Sequence, residues 1–212
     1  MDTNSIIISH YFESQDILFG PNNYLSGFDE YFLKYTPNYI FRNELNRALT
    51  DYEDNFRDMV MRNVTETFCI SHYSEWNTCL HYVEWWLTRN HYRIAEGEKR
   101  CLSLALYLSR NKNSTIYLLS DDFRAIDIIS EFMKIQRIGY ANTTMDIVLE
   151  IYARKNAIRK EQVLMLFQEY RNLIPKLRGP IIPNTDIELL NVLCRLVGIS
   201  RHICRQDCYN IF

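Results

Sequence analysis

Three features are missing from this sequence, and each absence argues against a class of protein. No apolar run approaches the roughly 20 residues that a membrane-spanning helix requires, so we expect a soluble protein. The six cysteines form no dense framework and no secretory leader precedes them, so we expect reduced thiols and a cytoplasmic location. The formal net charge of -2 argues against a protein that coats nucleic acid along its whole surface.

Paired ligands for zinc are also scarce. Cys204 and Cys208 lie near His202, but their spacing is loose and no second pair of ligands stands opposite. A zinc site there is therefore disfavoured.

The composition is that of an ordinary globular protein with an uneven distribution of charge. A chain of 212 residues with 47% hydrophobic residues can bury a core as one domain with an appendage. Residues 1–132 hold 12 of the 24 Lys and Arg but 19 of the 26 Asp and Glu. The sequence thus predicts an acidic body and a basic last third, although two solvated faces would give the same counts.

Apolar runs and helical patterns alternate along the central part of the chain. "TIYLL" (115–119) predicts a fully buried strand, "FRAIDIISEFMKI" a helix and "QRIGYA" another short strand or turn. Two further helical patterns follow, "MDIVLEIYARKNA" and "RKEQVLMLFQEYRNL". This alternation is typical of an α/β fold with a parallel sheet.

The flanking regions carry helical signals. "NYIFRNELNRAL" predicts a strand end running into a helix that Asn43 caps, and residues 50–93 are helix-like. Within residues 50–93, four apolar residues recur at helical spacing and predict a helix face that packs in the core: Trp76, Leu80, Val83 and Leu87. Prolines separate a C-terminal extension (175–212), which contains an amphipathic helix from about Asp186 to Leu196.

Acidic residues recur where predicted strands meet predicted helices. Asp121 and Asp122 follow the strand at 115–119, and ligands of open α/β sheets collect at that edge. Glu44 and Glu98 fall in the first turns of helices, and Asp2 precedes an apolar stretch, where it is either a helix cap or a site residue. Converging carboxylates repel one another unless a divalent cation neutralises them, and oxygen ligands favour Mg²⁺ or Mn²⁺.

These motifs together resemble the PIN-domain ribonucleases, and are most similar to the bacterial branch with a GE, apolar helix, strand and DD core. The motifs that carry the resemblance are "DTN" (2–4), "NEL" (43–45), "GE" (97–98) with "LALYL", and "LLSDD" (118–122) with Arg124 and Ala125. It covers residues 97–173 well and the N-terminal third only through isolated motifs.

The resemblance implies a PIN-like domain over residues 1–174. Residues 50–93 depart from the family pattern as a helical insertion, which we expect to be a lid or an oligomer face. It implies RNA hydrolysis with one or two Mg²⁺ or Mn²⁺ ions. The residues that it places at the catalytic site are Asp2, Glu44, Glu98, Asp121 and Asp122. The resemblance makes Asp2, Glu44, Glu98 and Asp121 metal ligands, with Asp122 as the neighbour that contacts metal-bound water. Whether Asp121 or Asp122 is the direct ligand stays open.

The resemblance also suggests candidate RNA contacts. Those at 154–160 are equally well explained as a solvated helix junction. The candidate contacts are Thr3, Asn4, Thr143, Arg154, Lys155, Arg159 and Lys160, with Thr144 as the alternative to Thr143. Many relatives are toxins held by an antitoxin, so an antitoxin partner and a homo-oligomer are also expected.

The sequence departs from the family pattern at its start. In the family a strand precedes the first acid, whereas only Met1 precedes Asp2 here. That strand is missing, replaced by another segment, or lies upstream of Met1. The rival hypothesis is a catalytically inactive PIN-like module that binds RNA or a protein.

Overall fold

The computed structural model describes residues 1–14, 33–112, 115–148, 165–166 and 169–170. Its strands are β1 (Lys34–Pro37), β2 (Phe68–Ser71), β3 (Ile116–Leu119) and β4 (Gly139–Asn142). Its α-helices are α1 (Thr3–Ser14), α2 (Asn46–Ala48), α3 (Asp54–Thr67), α4 (Asn77–Arg89), α5 (Glu96–Lys112) and α6 (Phe123–Gln136). A π-helical turn (Ile40–Leu45) leads into α2, and 3₁₀ turns occupy Leu49–Asp51 and Tyr73–Glu75.

The described strands form two parallel pairs. β1 pairs with β2, with Lys34 opposite Phe68, and β3 pairs with β4, with Ile116 opposite Gly139. Helices connect the strands of each pair, as parallel pairing requires. The prediction of an α/β chain with parallel strands is confirmed at this level.

The first two residues of the chain lie between the two pairs. The terminal nitrogen of Met1 donates to the carbonyl of Tyr35 in β1 at 2.9 Å. The next amide, that of Asp2, donates to the carbonyl of Leu119 in β3 at 3.1 Å. A single length of backbone therefore bonds to β1 on one side and to β3 on the other.

Helix α5 supplies much of the core because it packs against β1, β3 and α4. The face of α4 predicted to be buried is buried, together with Trp76, which immediately precedes α4. On α4, Trp86 meets Phe132 of α6 edge to face, with ring centroids 5.0 Å apart. Nowhere in the described ranges is a helix both long and apolar enough to cross a membrane.

Three local predictions were wrong. Residues 50–93 are not helical throughout, because β2 lies among them and pairs with a strand 34 residues earlier in register. Asn43 caps no helix: with Glu44 it lies inside the π-helical turn. β3 is not fully buried, since Ile116 and Tyr117 are only half-buried.

Several predicted features fall outside the described residues. Residues 144–148 are helical, which agrees with the start of the first predicted helix after β4. The structure does not describe the C-terminal extension, the cysteines near His202, or the predicted RNA contacts Arg154, Lys155, Arg159 and Lys160.

The turn between α6 and β4 requires glycine. Arg137 ends α6 in the left-handed conformation with φ of 55°, and Gly139 has φ of 148°. A side chain at Gly139 would also collide with the carbonyl oxygen of Ile116 in β3. Only glycine combines this backbone conformation with such a close approach of two strands.

We therefore expect Gly139→Ala to lower the free energy of unfolding by about 2 kcal/mol or more, through backbone strain and displacement of β3. Urea denaturation of both proteins would measure the loss. An unchanged denaturation midpoint would contradict the tight β3–β4 contact.

Candidate carboxylate site

Two neighbouring aspartates follow β3 but have different surroundings. Asp122 is the N-cap of α6: its Oδ1 accepts hydrogen bonds from the amides of Arg124 at 2.8 Å and Ala125 at 3.2 Å. Asp121 is fully buried. Asp122, the less buried of the two, therefore caps a helix, and Asp121 is the inner residue of the pair.

The Asp121 carboxylate is a junction of three segments. Its Oδ2 accepts from the hydroxyls of Ser5 and Thr144, both at 2.6 Å. Its Oδ1 accepts from the Thr144 amide at 2.9 Å and the Tyr170 hydroxyl at 2.6 Å. Four donors occupy most of the acceptor capacity of a carboxylate, so Asp121 ties α1 and the helical residues 144–148 and Tyr170 to the end of β3.

Asp2 lies beside Asp121 and is also bonded through both oxygens. Its Oδ1 accepts from the Ser5 amide at 2.8 Å, which makes Asp2 a cap of α1, and its Oδ2 accepts from the Ser120 hydroxyl at 2.6 Å. Burial, and then the charge of Asp121, raise the pKa of Asp2 to about 6. The prediction that Asp2 caps a helix is confirmed, and its role as a site residue stays a prediction.

Glu98 carries the least satisfied carboxylate of the group. It lies in the first turn of α5, and its buried Oε2 has no hydrogen-bond partner among the described residues. Burial raises its pKa to about 7, with further contributions from Asp2, Asp122 and Glu44. These contributions to the pKa of Glu98 indicate that its carboxylate lies near those of the other three acids.

Glu44 joins this group of acids through contacts that the sequence motifs do not predict. Its Oε2 accepts from the Thr3 hydroxyl at 2.9 Å, and burial raises its pKa. A Cβ at Gly97 would lie 2.7 Å from Glu44 Oε1 and 2.8 Å from Ile40 Cδ1. Glycine therefore precedes Glu98 because the Glu44 carboxylate packs against its backbone.

The two threonines after β4 have different contacts. Thr143 caps the following helix: its amide donates to Asp146 Oδ2 at 2.6 Å, and its hydroxyl accepts from the Asp146 amide at 3.1 Å. Thr144 is the one that contacts an acid. Thr143 was predicted to contact RNA, but in the structure it is buried in this capping interaction.

Sequence reasoning missed three residues of the site. Ser5 and Ser120 donate to the buried aspartates, and Ser5 stands at the capping distance from Asp2 that could have revealed it. Tyr170 carries no signal in the sequence, because it lies 49 residues from its acceptor. Asn4, half-buried in α1, stays a predicted RNA contact.

The acids offer only carboxylate oxygens as metal ligands. Within the described ranges, no three His, Cys, Asp or Glu side chains are placed to bind one metal ion together. Mg²⁺ commonly keeps several waters and takes only one or two carboxylates. The orphaned Glu98 oxygen, with Asp2 and Asp122 nearby, fits a hydrated cation of this kind rather than zinc.

Comparison with known proteins gives no further support for an assignment. No family model matches this chain, and neither a curated protein nor a solved structure matches it.

The contrast between the two aspartates gives a first prediction. Asp121→Asn should lower the free energy of unfolding by about 3 kcal/mol, because an amide nitrogen cannot accept the bonds that its oxygen received. Asp122→Asn should cost less than about 0.5 kcal/mol, since asparagine caps helices as well as aspartate does. Chemical denaturation of both variants tests this, and equal losses would contradict it.

The raised pKa of Glu98 gives a second prediction, in metal-free buffer. Between about pH 4.5 and 7 the folded protein retains a proton that the unfolded chain has lost, so this group makes stability fall as pH rises. Glu98→Gln removes the effect. At pH 8 the variant should be more stable than the wild type by about 2 kcal/mol, and at pH 4.5 the difference should vanish.

His10 makes the comparison with a variant necessary. Burial lowers the pKa of His10 to about 4, so this residue makes stability fall as pH drops below about 6.5. In the wild-type profile the effect of His10 opposes those of Glu98, Asp2 and Glu44, whose pKa values are all raised. The effect of Glu98 separates only in the difference between proteins. Glu66→Gln on the exposed surface of α3 is the matched control, and a difference at pH 8 no larger than the control's would contradict the prediction.

Proposed function

We propose that this chain is a metal-dependent endoribonuclease of the PIN-like type. The observation that carries the proposal is the buried, unpartnered Oε2 of Glu98, set among Asp2, Asp122 and Glu44. These acids lie beyond the carboxyl end of β3, where α/β proteins place their ligands. Asp2 is buried and the other three acids are half-buried, so gathering their like charges without a cation would cost stability.

In this proposal the acids have two kinds of task, attracting the cation and positioning the end of β3. A bound Mg²⁺ or Mn²⁺ would supply Lewis acidity and charge neutralisation for phosphodiester hydrolysis. Glu98, Asp2 and Asp122 hold the negative charge that attracts the cation. Asp121 is a positioning residue, because its hydrogen bonds hold the end of β3 against α1.

A cation and two aromatic rings beside the acids are candidates for holding RNA. The guanidinium of Arg100 lies 4.4 Å from the ring centroid of Tyr39 and 5.6 Å from that of Tyr73. Burial raises the pKa of Glu44, and the nearby charge of Arg100 partly opposes that rise. Aromatic faces interleaved with a cation suit single-stranded nucleic acid.

A second candidate function is an inactive PIN-like module that binds RNA or a protein. The saturation of Asp121 by protein donors favours it, because a carboxylate so bonded serves structure rather than metal. The lack of three jointly placed metal ligands in the described residues favours it too. The antitoxin partner and the homo-oligomer stay predictions under either function.

A cleavage assay separates the two functions. Single-stranded RNA incubated with the full chain and Mn²⁺ should be cut, and EDTA should abolish cutting. Glu98→Gln and Asp122→Asn should lower the rate ~100-fold or more while leaving the fold intact, because each removes charge from the cation site.

Glu66→Gln controls for the loss of a surface charge and should cut as the wild type does. RNA that binds equally to wild type and Glu98→Gln, with no cutting by either protein, would establish the inactive module instead.

A further inference from the structure

Beside its buried face, α4 carries a row of aromatic and cationic side chains. The rings of Tyr82 and Trp85 lie 5.7 Å apart, and Trp85 is 52% exposed. The guanidinium of Arg89 lies 5.3 Å from the Trp85 ring centroid. That of Arg110, at the end of α5, lies 5.6 Å from the Tyr82 ring centroid. We call these four residues the aromatic strip: Arg110, Tyr82, Trp85 and Arg89.

Helix α6 holds one ring of the aromatic strip in place. The Tyr82 hydroxyl accepts a hydrogen bond from Gln136 Nε2 at 3.0 Å, and the Tyr82 ring meets that of Phe132 edge to face at 6.2 Å. Because Tyr82 cannot turn without losing both contacts, this part of the strip is organised before a ligand binds. Such preorganisation lowers the entropic cost of binding.

The charges of the aromatic strip favour an anion. Within the ranges that the structure describes, neither Arg89 nor Arg110 forms an ion pair with a carboxylate. Glu84, the neighbour of Trp85 in the chain, lies 3.4 Å from the ammonium group of Lys99 instead. The strip therefore carries two positive charges that no carboxylate neutralises by direct contact.

A stabilising role in the helices explains only part of this arrangement. Arg89 and Arg110 lie in the last turns of α4 and α5, where a cation interacts favourably with the helix dipole. That role needs no aromatic partner and leaves the exposure of Trp85 without a purpose. A nucleotide uses both kinds of group, since its base stacks on a ring while its phosphate contacts a cation.

The surroundings of Trp85 suit a nucleotide better than a protein. Besides Tyr82, its neighbours at three- and four-residue spacing on α4 are His81, Thr88 and Arg89, all exposed and polar. The centre of a protein interface is normally apolar and poor in charge. A single exposed ring among polar and cationic side chains is instead the pattern of sites that bind unpaired bases.

We propose that the aromatic strip binds single-stranded RNA, with an unpaired base stacked on Trp85 and backbone phosphates held by Arg89 and Arg110. A duplex fits poorly, because paired bases keep their faces inside the stack. That the ligand is RNA rather than DNA rests on the proposed function. Binding itself requires neither metal nor cleavage, and the strip shares no residue with the acid group.

Tryptophan fluorescence follows binding to the strip directly. The chain has three tryptophans, and Trp76 and Trp86 are only 1% and 6% exposed. Quenching by a stacked base therefore reports on Trp85. We expect oligouridine of about ten nucleotides to quench this emission saturably. The titration is made in EDTA, which prevents metal-dependent cutting, and rising salt should weaken binding.

Anisotropy of labelled oligouridine gives the affinities of variants of the full chain. Trp85→Ala should bind about fivefold or more weakly than the wild type, and Trp85→Phe, which keeps an aromatic face, should lose less. Arg89→Gln and Arg110→Gln should each reduce the slope of log affinity against log salt by about 0.7. Arg62→Gln, which removes an exposed arginine of α3, is the matched control and should change neither quantity.

Equal affinities of the wild type and Trp85→Ala would overturn the proposal, as would no binding of oligouridine by the wild type. Salt slopes that fall as far in Arg62→Gln as in the strip variants would overturn it too. A chain that binds RNA through Trp85 but cuts none in Mn²⁺ would support the strip and reject the nuclease. A chain that cuts RNA while Trp85→Ala binds as the wild type does would give the reverse.

Discussion

Burying carboxylates beside one another costs free energy unless hydrogen-bond donors compensate their charges. The end of β3 is organised around these hydrogen bonds. Asp121 is met by donors from Ser5, Thr144 and Tyr170. Asp2 accepts hydrogen bonds from an amide in the first turn of α1 and from the Ser120 hydroxyl. Asp122 accepts from an amide in the first turn of α6. Glu98 is the one whose buried oxygen is left without a donor in the described part of the chain.

The position of the acids could be predicted from the sequence, but the roles within the pair could not. Two aspartates between an apolar strand and a helical pattern indicate the carboxyl edge of a parallel sheet, and the structure places them there. That Asp121 is saturated depends on Ser5, which is 116 residues away, and on Tyr170. Local patterns carry no information about such distant donors.

The missed strand β2 has a similar cause. Its four residues, "FCIS", are too few to show an alternation, and they follow directly on α3. Only pairing with β1 makes them a strand. The helices were easier to predict because α4 and α6 repeat apolar residues over several turns, and each repeat faces the core.

The start of the chain joins the two strand pairs to the acid group. The backbone of Asp2 is fixed by β3, and its side chain completes the acid group. The terminal nitrogen of Met1 is fixed in turn by the carbonyl of Tyr35 in β1. The geometry of the site therefore depends on how the two strand pairs are joined.

Direct titration of Mn²⁺ tests the central claim, that Glu98 and its neighbours form a divalent cation site. The free-ion signal in electron paramagnetic resonance reports unbound Mn²⁺ at pH 8, where Glu98 is ionised. The account predicts saturable loss of signal with the wild type and with Glu66→Gln, and much weaker loss with Glu98→Gln. Equal binding by the wild type and Glu98→Gln, or no binding by either, would contradict it.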